Sequence, residues 1–214
     1  MRSGLMLATL LLACGLPLQA SSQAPSAQRA APDVETRVKT MEGHYSAGKF
    51  VLALVSARRL CAWDHVARAC VVAGDILANG KGVAANRREA VLLLDGACKG
   101  RDAAACLALG KTLETMQEPD AGSRSPADAY GAACDLGSRD ACILRGEYLT
   151  FTEAHDQART ALSKACALDD AQSCANLAFY LEKGMGGPAD ANGAKALSRK
   201  ACKLGHKESC ERAK

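Results

Sequence analysis

Aromatic residues are scarce in this chain of 214 residues: Phe, Trp and Tyr together make 4%, with a single tryptophan, and there are only six prolines. Strand-rich sandwiches and barrels draw on aromatic and β-branched residues, so this composition argues against an all-β core. A dominant charge is lacking too. The 27 basic and 23 acidic residues are interspersed and leave +4, which gives no basic stripe for a nucleic-acid partner. No apolar run beyond residue 20 approaches membrane length. There is no Cys-x-x-Cys, and His44, His65, His155 and His206 form no ligand cluster, so no metal or cofactor is expected. What the chain has instead is alanine, 43 residues of 214. Alanine is the best helix former and lets helices pack closely, so the expected class is all-α. The length suits one medium domain or an array of small units.

Residues 1–20 read MRSGLMLATLLLACGLPLQA, with Arg2 followed by an apolar run from Leu5 to Ala13. That run is too short to span a bilayer and has the length of a signal-peptide core, so export is expected. Two processing sites compete. Leu11-Leu12-Ala13-Cys14 resembles a bacterial lipobox, whose cysteine is lipidated and provides the chain's one route to a membrane. The alternative is cleavage after Ala20, with Cys14 an ordinary residue of the signal. The destination is accordingly the periplasm, the outer membrane as a lipoprotein, or the medium. Residues 21–32, rich in Ser, Ala, Gln and Pro, cannot bury a core and read as a disordered tether. The folded part should run over 33–214.

Ten of the eleven cysteines fall in pairs: Cys61/Cys70, Cys98/Cys106, Cys134/Cys142, Cys166/Cys174 and Cys202/Cys210. Successive pairs begin 37, 36, 32 and 36 residues apart, the period of a helical solenoid. Alanine stands eight before the opening cysteine at Ala53, Ala90, Ala158 and Ala194, and directly before it at Ala97, Ala133, Ala165 and Ala201. After it, Gly100, Gly137, Asp169 and Gly205 read as helix stops, a glycine there taking the left-handed conformation. Asp102, Ser138 and Asp170 read as caps of the next helix. Past the second cysteine a small residue recurs at Gly74, Gly110, Gly146 and Ala178. Each unit is therefore helix A, a turn, helix B, and a tight turn into the next A.

Residues eight apart on one helix lie about 12 Å apart, whereas a disulfide needs Cα atoms about 5.5–6 Å apart. Bonding within each pair thus requires a chain reversal, and the stop signals lie where it must occur. This local pairing alone uses all ten cysteines alike. Trp63, between Cys61 and Cys70, is expected to pack over their bridge. Ten paired thiols require an oxidising compartment, in agreement with the export signal.

The stretch GDILANGKGVAANRREAVLLLDGAC, Gly74 to Cys98, resembles a Sel-one-like repeat, with Gly80-Lys81-Gly82-Val83 as its turn. Gly184-Met185-Gly186-Gly187 matches more loosely, and Gly48-x-Phe50 is closer to a tetratricopeptide hairpin. With one cysteine pair per repeat, residues 33–214 resemble the Helicobacter cysteine-rich proteins. The resemblance implies a right-handed α/α solenoid of about four and a half hairpins braced by local disulfides. It also implies two functions of different class. One is a scaffold whose concave face binds a protein or peptide; the other is a penicillin-binding protein with β-lactamase activity.

A hydrolase needs an activated nucleophile. The one Ser-x-x-Lys string is Ser46-Ala47-Gly48-Lys49, and no Ser-Asp-Asn or Lys-Thr-Gly follows it. Ser46 reads as a turn serine, and no catalytic residue is nominated. Lys81 follows no strand and lacks P-loop spacing. Asp95, Asp102, Glu114 and Glu118 read as solvated charges. For a scaffold, the A helices line the inner wall. Counting from the small-residue markers, Asp75, Asn79, Lys111, Glu114, Glu147, Thr150, Phe151, Phe179, Glu182 and Lys183 should face it. Phe179 is either a solvent-facing anchor or a packing residue against a neighbouring helix. The partner expected there is an unidentified protein or peptide.

Overall fold

The computed structural model describes residues 32–116 and 124–213; Cys14, both processing sites, nearly all of the tether and Glu118 lie outside them. The described residues form eleven helices: α1 (Val34–Ser46), α2 (Phe50–Ala62), α3 (Ala67–Asn79), α4 (Arg87–Lys99), α5 (Ala103–Glu114), α6 (Pro126–Asp135), α7 (Arg139–Phe151), α8 (His155–Ala167), α9 (Ala171–Lys183), α10 (Ala191–Lys203) and α11 (Lys207–Arg212). Side chains cap most of their amino ends. Asp102, Ser138 and Asp170 accept from the backbone N–H groups of Ala105, Ala141 and Ser173, and Asp33, Asn86, Ser125 and Asp190 do the same for their helices. Each such cap satisfies a donor that the helix itself leaves free.

The left-handed stop falls three residues after the opening cysteine, at Arg101, Gly137, Asp169 and Gly205. Gly100 departs from expectation: its φ is −72°, and Arg101 takes the left-handed step at +64°. Gly100 is still the cap of α4, whose N–H reaches back to Gly96, so the reversal comes one residue later.

The helices pair in chain order into five hairpins, with α11 closing the series. α3 also touches α1 and α5, and α4 touches α6, so odd helices form one layer and even helices the other. The close step of each hairpin is the eighth residue of the odd helix. There stand Met41, Gly74, Gly110, Gly146 and Ala178; at the corresponding even-helix register stand Ala57, Leu94, Tyr130, Leu162 and Ser198. Large faces small at every step from Gly74 to Gly146. A Cβ at Gly74 would lie 2.7 Å from the Leu94 side chain, one at Gly110 2.5 Å from the Tyr130 ring, and one at Gly146 2.9 Å from Leu162. Glycine is needed because the interior is close-packed and the partner fills the space its side chain would take.

Five disulfides, Cys61–Cys70, Cys98–Cys106, Cys134–Cys142, Cys166–Cys174 and Cys202–Cys210, join the end of each even helix to the start of the next odd one, with Cα atoms 4.6–4.8 Å apart. The first four are buried; Cys202 and Cys210 are partly exposed. Burial is complete at Cys106, Cys142 and Cys174, each 0% exposed, so these three belong to the core and not to any accessible site. The reason is their phase. Each stands four residues before the close step of its helix, at Gly110, Gly146 and Ala178, and one helical turn keeps it on the face turned toward the even layer. As sites they are structural bridges alone, out of reach of a ligand. Each disulfide closes a ring of nine or ten residues, which stabilises by about 2.6 kcal/mol in the chain-entropy picture.

Trp63 does not cover the first bridge and is 80% exposed. It stands two residues past Cys61 with backbone angles that continue α2, so its side chain leaves the helix about 200° away from the cysteine. Leu93 and Ala97 of α4 flank that bridge instead, around a groove of about 490 Å³.

Candidate functional site

At the amino end of the odd layer, Asp75 is enclosed by partners. It accepts from the Tyr45 hydroxyl, from Lys81 Nζ at 2.7 Å and from Asn79 Nδ2 at 2.9 Å. Lys81 also donates to the Tyr45 hydroxyl at 2.8 Å and lies 5.2 Å from the Tyr45 ring centroid. The Asp75 carboxylate, and then the tyrosine, hold the Lys81 ammonium above its ordinary pKa. This cluster locks the Gly80–Val83 turn onto α1 and α3. It is a clamp between repeats with its charge already matched.

Farther along, the buried Tyr130 donates to Glu114 at 2.6 Å. Burial pushes the phenol up, and the adjacent Glu114 pushes it further, so it stays protonated. Glu114 is thereby committed to structure. Lys111 and Glu147 are exposed, and Phe151 is 87% exposed at the end of α7.

The carboxyl end of the same layer is different. A cleft of about 390 Å³ opens across α7, α9 and α11, lined by Thr150, Gln172, Ala175, Asn176, Phe179, Tyr180, Met185, His206, Glu208, Ser209 and Arg212. Its floor is fixed. Tyr180 is buried and donates to Thr150 at 2.9 Å, its ring packing edge-on against His155. Gln172 donates to Asn176 at 2.9 Å one helical turn on, which aligns two amides along α9. Beneath them the wholly buried Cys174 ties α9 to α8 through Cys166. Phe179 is 39% exposed at the rim, with Lys183 Nζ 6.0 Å from its ring centroid. α11 supplies the far wall, held by the Cys202–Cys210 bridge. The wall carries Arg212 and Glu208, and His206 caps it by accepting from the Ser209 N–H.

No protein-family model matches the chain, and no curated protein matches it. Solved structures do. A Sel1 repeat protein from Oxalobacter formigenes superposes with a TM-score of 0.54 at 18% identity, over 85% of this chain and 74% of that one. A protective antigen of uropathogenic Escherichia coli superposes at 0.58 and 15% identity over 85% of this chain, which spans only 44% of that protein. The fold is that of the Sel1 repeat proteins. Helicobacter pylori cysteine rich protein B, at 23% identity, superposes at 0.41 over 59% of this chain and 93% of its own.

On this Sel1-like solenoid the candidate residues divide. Thr150 and Phe179 meet in the cleft. Asp75 is taken up by Lys81 and Tyr45, Asn79 by Asp75 itself, and Glu114 by Tyr130. Glu182 and Lys183 are exposed and pair with each other at 3.1 Å. Gln172, Asn176, His206 and Arg212 were not nominated. Gln172 and Asn176 sit before the small-residue marker of α9, and in the unit of His206 and Arg212 the marker position holds Lys214 instead of a small residue. Ser46 ends α1, exposed, with no hydrogen bond to Lys49 among the described residues. No group of three or more His, Cys, Asp or Glu among the described residues could hold a metal ion.

Proposed function

We propose that this chain is an exported protein- or peptide-binding scaffold, and that its partner docks in the cleft across α7, α9 and α11. One observation carries the reading: Phe179 stands half-open beside the aligned amides of Gln172 and Asn176 on a rigid floor. An exposed aromatic gives an apolar anchor, and side-chain amides pair with a peptide backbone through both donor and acceptor. Arg212 and Glu208 on the α11 side offer charged groups of both signs to a partner's polar side chains. The cleft's volume suits two or three residues of a peptide, and the layer beside it extends the contact surface, as stacked repeats do. Export is supported by the five disulfides and the signal-like residues 1–20.

Capture from an envelope fraction by oxidised protein tests this. Wild type and Ser163→Ala, an exposed position of α8, should retain the same partner, while Phe179→Ala and Asn176→Ala should each lose most of it. Undiminished retention by both cleft variants would refute the placement.

A further inference from the structure

Four of the large apolar side chains exposed on the described surface belong to α2 or its cap: Val51, Leu52, Val55 and Trp63, all between 52% and 80% exposed. Among the other even helices, only α4 shows one within its span, Leu92. The buried residues of α2 are Ala53, Leu54, Ala57, Leu60 and Cys61. At 100° per residue, Leu52, Val55 and Arg59 lie on the side directly opposite them, with Val51 and Trp63 flanking. Apart from Arg59, the outward side is apolar, and it is left open to solvent.

We propose that the outward face of α2 is a membrane-docking surface that seats on anionic phospholipid. It is independent of the cleft on α7, α9 and α11. Charge selects this occupant. α2 contains no acidic residue; Lys49 caps it and Arg59 stands in its last turn, both exposed, while Arg58 is neutralised by Glu89 at 2.7 Å. Aliphatic side chains with Arg59 among them, Lys49 at the amino end and a tryptophan at the edge match the acyl, phosphate and headgroup levels of a lipid surface, the long arginine reaching up to the phosphates. A second copy fits poorly. The strip is about 20 Å long and roughly one helix wide, far below the ~800 Å² per partner of a stable interface. The carboxylates beside it, Asp64 and Glu89, are already paired with Arg37 and Arg58 and leave none to meet the Lys49 and Arg59 of a copy.

Trp63 is the sole tryptophan, so its emission reports on this face alone. With the oxidised full chain and vesicles of phosphatidylglycerol in phosphatidylcholine, emission should shift to the blue and be quenched by brominated acyl chains. Added salt should weaken the binding. Leu52→Asp with Val55→Asp should lower vesicle affinity by at least roughly tenfold with unchanged circular dichroism, since both positions face solvent. Phe179→Ala should bind vesicles as wild type does, which separates this proposal from the cleft. Three results would overturn it: vesicle binding that leaves Trp63 emission unchanged, no binding at all, or Trp63 shielded from aqueous quencher without lipid, by dimerisation or by residues 1–31.

Discussion

Cys210→Ser opens the ring of residues 202–210 and leaves α11 to hold itself. The helix has six residues, about 9 Å of rise, too few to form alone because nucleation is costly. Ser209 is its one buried residue, and His206 caps it through the Ser209 N–H and hydroxyl, so no apolar anchor replaces the lost bridge. Ring closure contributed about 2.6 kcal/mol. Taken from local docking, that lowers hydrogen-exchange protection over residues 206–213 by roughly 70-fold. The cleft loses its far wall with it, including His206, Glu208, Ser209 and Arg212. Exchange measured by mass spectrometry on Cys210→Ser, and on the double variant with Cys202→Ser to remove the free thiol, should show the change confined to α11 and the end of α10. Repeats interact mainly with their neighbours, so α3 to α5 should be unaffected. Equal opening of the Cys61-to-Cys134 region, or intact protection in α11, would refute the reasoning.

Gly110→Ala should destabilise by about 1–3 kcal/mol in urea melts, although alanine is the better helix former, because its Cβ would meet the Tyr130 ring at 2.5 Å. Arg101→Gly should stabilise by about 1 kcal/mol in the same assay, since only the wild-type residue strains at φ +64°. Arg37 grips Asp64 through bonds of 2.7 and 2.9 Å and holds its carboxyl below the usual range. The stability this adds is present above pH about 4 and is lost as pH falls through the depressed value, so Asp64→Asn should show a shallower acid limb in thermal melts from pH 7 downward. Purified oxidised protein should turn over no nitrocefin, and Ser46→Ala should behave identically; hydrolysis abolished by that substitution would reinstate the nucleophile.

Period, helix class, chain reversals and disulfide partners were legible in the residues because each is a local matter. The cysteines of a pair stand eight or nine positions apart, and a cap or stop acts within one turn, so spacing and residue type suffice at Asp102, Ser138 or Gly137. Even the glycine at the close step could be read, since Gly74, Gly110 and Gly146 recur at one position. The identity of what fills the space above each was not. Leu94, Tyr130 and Leu162 stand 20, 20 and 16 residues farther along, and only the packed hairpin sets them over those glycines. The same packing is what seals Cys106, Cys142 and Cys174 from solvent, a depth that spacing alone does not measure.

The site depended still more on tertiary structure. Asp75 and Asn79 have the right phase for an open wall, but Tyr45, 30 residues before Asp75, and Lys81 in the following turn claim the carboxylate, to which Asn79 also donates. Phase around one helix cannot register a partner delivered by another. Trp63 lies between two bonded cysteines yet points away from them, because α2 keeps its helical angles for one residue more. The cleft exists only because a six-residue helix, too short to stand alone, is tied by Cys202–Cys210 beside α9. Spacing determines which residues a helix places on one side; whether that side is filled, neutralised or left open is decided by elements far away in the chain.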